Sequence, residues 1–277
     1  MNELIELKSY KRNCELYLRA LWGKGFSIQL SDSERENSIN HSYLVDNNIF
    51  LPAEIILNQS ESNYYRAAAM HASAHAIYSN NAFDNSDLNL MQRSLVGLIE
   101  DLRVELLSIE QFPGLKKLWL QFHNLPEVNT GNANNLMMRL SRSILDPDYS
   151  DEHHWVMKGK KLIQENRYHL NNQQISMTIG LSLANDIGQM RLPLNSGRYE
   201  QAIKYRDDNR SLWEKVLNTP QQTDTANEQQ DSFFKKNKLK EALQGMQVEL
   251  SNSDTQCGNG LYIKQNKKAS FEYQQHQ

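Results

Sequence analysis

Between Glu3 and Lys24, the apolar positions Leu4, Ile5, Leu7, Tyr10, Leu16, Leu18, Leu21 and Trp22 fall near the helical period. That spacing predicts a helix, ended by Gly23 and Gly25. Phe26-Ser27-Ile28-Gln29-Leu30 alternates apolar with polar and predicts a strand. Ser42-Tyr43-Leu44-Val45 and Ile49-Phe50-Leu51-Pro52 flank Asp46-Asn47-Asn48, which predicts a hairpin turning on the Asp/Asn cluster. Ser31 to Asn40 is polar and reads as a loop. Beyond Pro52 the period is helical. An Ala-rich helix is expected at about 60–79, then a second at about 86–110 with Met91, Leu95, Leu98, Leu102 and Ile109 as its stripe, stopped by Pro113-Gly114. Further helices are expected at about 115–122, 132–145, 151–166, 171–187 and 198–216. The pattern predicts a mainly α fold with a small antiparallel β-sheet near the N-terminus, at about 26–52, inside a domain of residues 1–215.

Near Val216 the composition changes. Thr219-Pro220-Gln221-Gln222-Thr223 through Gln229-Gln230-Asp231 is poor in apolar residues, so 216–277 reads as a polar linker and tail. One helix is expected in it, from Ser232 to Leu250, on Phe233, Phe234, Leu239, Leu243, Met246 and Leu250.

Charge and composition narrow the function classes. The net charge of -3 and a pI near 6.3 argue against a general nucleic-acid binder, which carries a basic excess. Apolar residues make up 39% and charged residues 23%, with a mean hydropathy of -0.69, which suits a folded protein with a polar surface. No run approaches the roughly 20 apolar residues of a bilayer span. The start, Met1-Asn2-Glu3-Leu4-Ile5, is acidic and periodic rather than a secretory signal. Cys14 and Cys257 stand far apart, which suits a reducing compartment. The expectation is a cytoplasmic protein with no nucleic-acid partner and no membrane span. No Gly-x-x-x-x-Gly-Lys-Ser/Thr or Gly-x-Gly-x-x-Gly pattern occurs, so no nucleotide site is expected.

The chemistry-bearing stretch is Met70-His71-Ala72-Ser73-Ala74-His75. Two histidines at i and i+4 lie about 40° apart on a helix, so both imidazoles can reach one metal ion. Leu98-Ile99-Glu100-Asp101-Leu102-Arg103-Val104-Glu105 then brings carboxylates on the next long helix. Glu100 is the expected third ligand, and zinc the expected divalent ion. Asp101, Arg103 and Glu105 are expected to orient the ligands, or to form a buried ion-pair network of their own. The order of small sheet, two-His helix and acid-bearing helix is similar to zinc metalloproteases of the gluzincin type, which implies a zincin-like helical domain. Those enzymes place a general-base Glu beside the first His, and here Ala72 stands there. A methyl group cannot take a proton from metal-bound water. Any metal is therefore expected to be structural, or the relic of a hydrolase. The same histidines also read as hydrogen-bonded core residues without metal. His153-His154, after Asp151-Glu152, reads first as a solvated helix start.

Two further stretches join the histidines in a resemblance. One is Leu95-Val96-Gly97-Leu98-Ile99-Glu100-Asp101-Leu102-Arg103-Val104-Glu105 with Phe112-Pro113-Gly114-Leu115-Lys116-Lys117-Leu118-Trp119 behind it. The other is Tyr205-Arg206-Asp207-Asp208-Asn209-Arg210-Ser211-Leu212-Trp213. Over roughly residues 40–215 the chain resembles the NorD/CbbO family, whose members accompany nitric oxide reductase or rubisco gene clusters. The family pairs an N-terminal helical region with a C-terminal von Willebrand factor A domain. The resemblance implies a non-enzymatic adaptor bound to a hexameric MoxR-type AAA+ ATPase. The ATPase supplies the hydrolysis, and the A domain engages a client enzyme that is activated or matured. The chain stops at Gln277, near where that A domain would begin, and carries no Asp-x-Ser-x-Ser for an adhesion-site Mg²⁺. It reads either as a piece of a longer protein or as a protein without that domain, and binding to the ATPase is the expectation retained.

Arg206, Asp207, Asp208 and Arg210 alternate in sign between Tyr205, Leu212 and Trp213. Arg206, Asp207, Asp208 and Trp213 are thus candidates for contact with a partner. The same residues also fit a helix capped by Asp207 or Asp208, with Leu212 and Trp213 in the core. Beside the adaptor stand two rivals, a zincin-type metallohydrolase and a purely structural helical scaffold.

Overall fold

A computed structural model describes residues 2–31, 42–58, 63–125, 132–193 and 203–213. All lie in the first of two compact units, Met1–Val216. The second unit, Leu217–Gln277, lies outside the described residues, as do the expected helix at Ser232 to Leu250 and most of the loop expected from Ser31 to Asn40.

The described chain is mainly helical with small sheets near the N-terminus. Its first element is a strand, β1 (Asn2–Glu6), paired antiparallel with β5 (Glu54–Asn58), Leu4 opposite Ile56. The expected helix therefore starts later, as α1 (Leu7–Trp22). Leu4 and Ile5 satisfy either period, and a partner about fifty positions downstream decides between them. Gly23 ends α1 in the left-handed conformation at φ 63°, its N–H donating to Arg19 O at 3.0 Å, a geometry that favours glycine.

β3 (Tyr43–Val45) and β4 (Asn48–Leu51) form the expected hairpin, with Asp46 at φ 53° in the turn. β2 (Ser27–Leu30) pairs with β4 in parallel, Ile28 beside Ile49, so the sheet is mixed rather than antiparallel, in the order β2-β4-β3. The hairpin leaves one edge of β4 free, and the fold lays β2 on that edge in the same direction. Ile28, Leu44, Ile49 and Leu51 are buried, whereas Leu30, two positions beyond Ile28 at the end of β2, is exposed.

Two helices run through the middle. α2 (Tyr64–Tyr78) is buried from Ala67 to His75, which its alanines permit because neighbours can approach on every side. α3 (Leu90–Gln111) begins in a capping box: Asn89 Oδ1 accepts from Gln92 N at 3.0 Å, and Gln92 Oε1 accepts from Asn89 N at 2.9 Å. Ser94 to Ser108 of α3 are all buried. α4 (Gly114–Leu120), α5 (Ala133–Leu145), α6 (His154–Glu165) and α7 (Gln174–Met190) follow close to the expected spans. One core joins α1, the strands, α2 and α4. A second joins α3, α5, α6 and α7, and a small third one packs Phe83, Val96 and Leu212 together. The contact between α2 and α3 is thus the seam of the molecule.

The helix expected at 198–216 is corrected where it is described. Residues 203–213 run without a regular helix, apart from a 3₁₀ turn at Arg210–Leu212. Asn209 sits at φ 57°, and single bridges tie Ser42 to Asp207 and Phe83 to Trp213. The apolar spacing there serves side chains inserted into the core from an irregular segment.

α7 crosses α3 so closely that a Cβ on Gly180 would stand 2.6 Å from Val96 Cα. Gly180→Ala must push two backbones apart and is expected to destabilise by about 1–3 kcal/mol in denaturant titration. Gly188→Ala, with no heavy atom within 4 Å of its added Cβ, is expected to be neutral or mildly stabilising. Equal midpoints for the two variants would contradict the close crossing.

Candidate metal centre

One turn of α2 presents His71 and His75 to α3, and both imidazoles are shut off from solvent. Their Nε2 atoms face each other at 3.3 Å. Asp101 Oδ1 of α3 lies 3.3 Å from His75 Nε2 and 3.7 Å from His71 Nε2. Asp207, from the irregular 203–213 segment, completes a group whose ligand atoms all lie within 4.8 Å of one another. Asp101 Oδ1 and Asp207 Oδ2 are buried and accept no hydrogen bond. Such a set of two imidazole nitrogens and two carboxylates could hold a metal ion.

The surroundings turn both imidazoles the right way. Ser79 Oγ donates to Glu100 Oε1 at 2.5 Å, so at 3.1 Å it can accept from His75 Nδ1. His71 Nδ1 lies 3.2 Å from Glu105 Oε1, close but poorly aligned. With each Nδ1 carrying a proton, each Nε2 lone pair points into the group.

Glu100 is not in that group, which corrects the expected ligand set. It accepts from Arg103 Nε and Nη2 at 2.7 Å each, from Ser176 Oγ at 2.7 Å and from Ser79. Four donors saturate both its oxygens. Arg103 also reaches Tyr78 O at 2.7 Å and Leu170 O at 2.8 Å. One residue along a helix is a turn of about 100°, so Asp101 faces the two histidines while Glu100 turns toward Arg103, Ser176 and the α2 C-cap Ser79. Asp101 and Glu105 stand at i and i+4 on α3, matching His71 and His75 on α2. That phase was available in the sequence and points to Asp101.

Glu105 accepts from Arg206 Nε at 2.9 Å, Arg206 Nη2 at 2.7 Å and Tyr205 Oη at 2.8 Å. Arg206 Nη1 donates to Ser141 Oγ at 3.2 Å and lies 3.6 Å from Asp101 Oδ2. Arg206 and Asp207 are therefore buried parts of the centre and cannot meet a partner protein. Asp208 instead pairs with Arg210 near the surface, with the Arg210 guanidinium 3.8 Å above the Tyr43 ring. Trp213 packs against Phe83 with ring centroids 6.0 Å apart. Sequence reasoning missed Asp207 as a donor because its placement depends on the Arg206–Glu105 pair. His153 caps α6, its Nδ1 accepting from Trp155 N at 3.3 Å, as a helix start does.

Burial penalises every charge here, and the partners decide the outcome. For His71, burial works downward, but Asp101 and Glu105 outweigh it and raise the imidazole to about 9. Asp101 is held well below the carboxylate range despite burial, by the two imidazoles and Arg206. Glu105 is lowered to about 2, its burial offset by Arg206 and His71. Asp207 is raised, since burial exceeds the pull of His75 and His71.

Compared with protein-family models, with curated proteins and with solved structures, the chain gives no significant match.

His123 lies behind the centre, its Nε2 3.1 Å from Tyr205 Oη. Burial, then the Arg206 charge, press it down to about 3. The unfolded chain takes up this proton near pH 6.5, whereas the folded chain waits until about 3. His123 therefore costs stability as pH falls through that window, by up to about 1.4 kcal/mol per pH unit. His71, with its raised value, contributes fully below pH 6.5 and adds no slope there. Denaturant midpoints of metal-free protein between pH 6.5 and 4.5 are expected to fall less steeply in His123→Gln than in the wild type. Parallel slopes would show that His123 titrates normally.

Proposed function

We propose that this chain is a non-hydrolytic accessory module with a structural zinc centre, docking on a hexameric MoxR-type AAA+ ATPase to help activate or mature a client metalloenzyme of nitric oxide reductase or rubisco type. The observation that carries the non-hydrolytic reading is Ala72, fully buried beside His71 where a zincin-type hydrolase holds its base. The neighbouring acids are already engaged, Glu100 with Arg103 and Glu105 with Arg206. Zinc suits the donors, because tetrahedral bonds of about 2.0–2.1 Å need ligand atoms about 3.3 Å apart. Support for the NorD/CbbO reading is that all three stretches of resemblance supply the centre: His71 and His75, then Asp101 and Glu105, then Tyr205, Arg206 and Asp207. A zincin-like ancestry fits the same order of elements.

The test uses the full chain and a purified MoxR-type ATPase. Co-elution in gel filtration, with altered ATP turnover, is the expected result. Separate elution with unchanged turnover, both partners being folded, sinks the adaptor. Metal-dependent peptide cleavage that disappears in His71→Ala would establish the hydrolase instead.

A further inference from the structure

We propose that the metal ion is a clasp: held by His71 and His75 of α2, Asp101 of α3 and Asp207, a divalent cation fastens the 203–213 segment to the two central helices. The inference rests on the metal centre proposed above and adds a mechanical consequence of its fourth ligand. Asp207 alone among the four comes from outside α2 and α3.

Geometry leaves a corner for it. The three donors on the helices stand 3.3, 3.3 and 3.7 Å apart, close to the edges of a tetrahedron around a zinc-sized ion. The Asp207 oxygen lies within 4.8 Å of each. Its Oδ1 accepts from Asn209 N at 3.1 Å, which fixes the carboxylate, and its buried Oδ2 has no hydrogen-bond partner. A buried carboxylate oxygen without a donor is costly unless a cation meets it.

Charge asks for the same ion. Asp101 and Glu105 pair with one guanidinium, Arg206, and Asp207 adds a third carboxylate to the group, while Glu100 and Arg103 balance each other. With the ion bound and both imidazoles neutral, the three carboxylates and Arg206 leave two negative charges, which one divalent cation cancels. A single proton on His71, held against Asp101, cancels only one of them, and a second on His75 would set two Nε2–H groups against each other across 3.3 Å. Without the ion, Asp207 faces Asp101 with like charge, and the segment keeps the Arg206–Glu105 pair and its bridges to Ser42 and Phe83. The loss is thus local opening rather than unfolding.

Hydrogen exchange on the full chain tests this, with zinc alone as the probe and metal content measured in parallel. The amides to follow are Arg206, Asp208, Asn209 and Leu212, each donating a hydrogen bond in the folded segment. With one equivalent of zinc their exchange is expected to slow by about tenfold or more relative to chelated protein. Asp207→Asn keeps an oxygen for Asn209 but loses the charge. It is expected to bind zinc about 10–100-fold more weakly and to show no such slowing. If that variant fails to fold, the wild type with and without zinc decides alone. Zinc bound at one equivalent with unchanged exchange overturns the clasp and leaves the metal centre standing. No zinc binding overturns both.

Discussion

Removing ionised side chains from water costs several kcal/mol each unless partners replace the lost hydration. Glu105 is the acid around which this protein meets that constraint. Arg206 grips both of its oxygens, Tyr205 donates to it, and His71 Nδ1 lies against it. That one carboxylate draws the 203–213 segment into the seam between α2 and α3. The Tyr205 ring it holds lies parallel to Trp119, with centroids 6.1 Å apart. Glu100 and Arg103 make a second, separate pair, and Arg103 bonds the carbonyls of Tyr78 and Leu170.

The histidine helix is held as firmly by its neighbours as by its charges. Trp119 Nε1 donates to Ala67 O at 3.2 Å, and Trp22 Nε1 to Ser73 Oγ at 2.8 Å. Ser73 in turn bonds Met70 O at 2.9 Å. Alanines let α1, α3 and α4 approach this helix without gaps, so the imidazoles have little freedom to swing.

Much of this was legible locally. Gly23 ends α1, Asn89 and Gln92 open α3, and the Asp/Asn turn joins β3 to β4, each through contacts within a few residues. The histidine pair was legible for the same reason, since i and i+4 share a helix face whatever surrounds them. Where local patterns allowed two answers, distant partners chose. β5 made a strand of residues 2–6, β4 received β2 in parallel, and Arg206 reached Glu105 about a hundred positions away.

The sequence by itself determined most of the helices, the glycine end of α1, the hairpin and the two imidazoles that share a turn, because hydrophobic period, caps and turn residues act over a few positions. Only the tertiary structure decided that Glu100 is taken up by Arg103 and Ser176, and that Asp207 joins the histidines and Asp101 from an irregular segment. The physical reason is that a buried charge takes its partner from whatever the packed core brings within about 3–4 Å, and no local rule carries that distance.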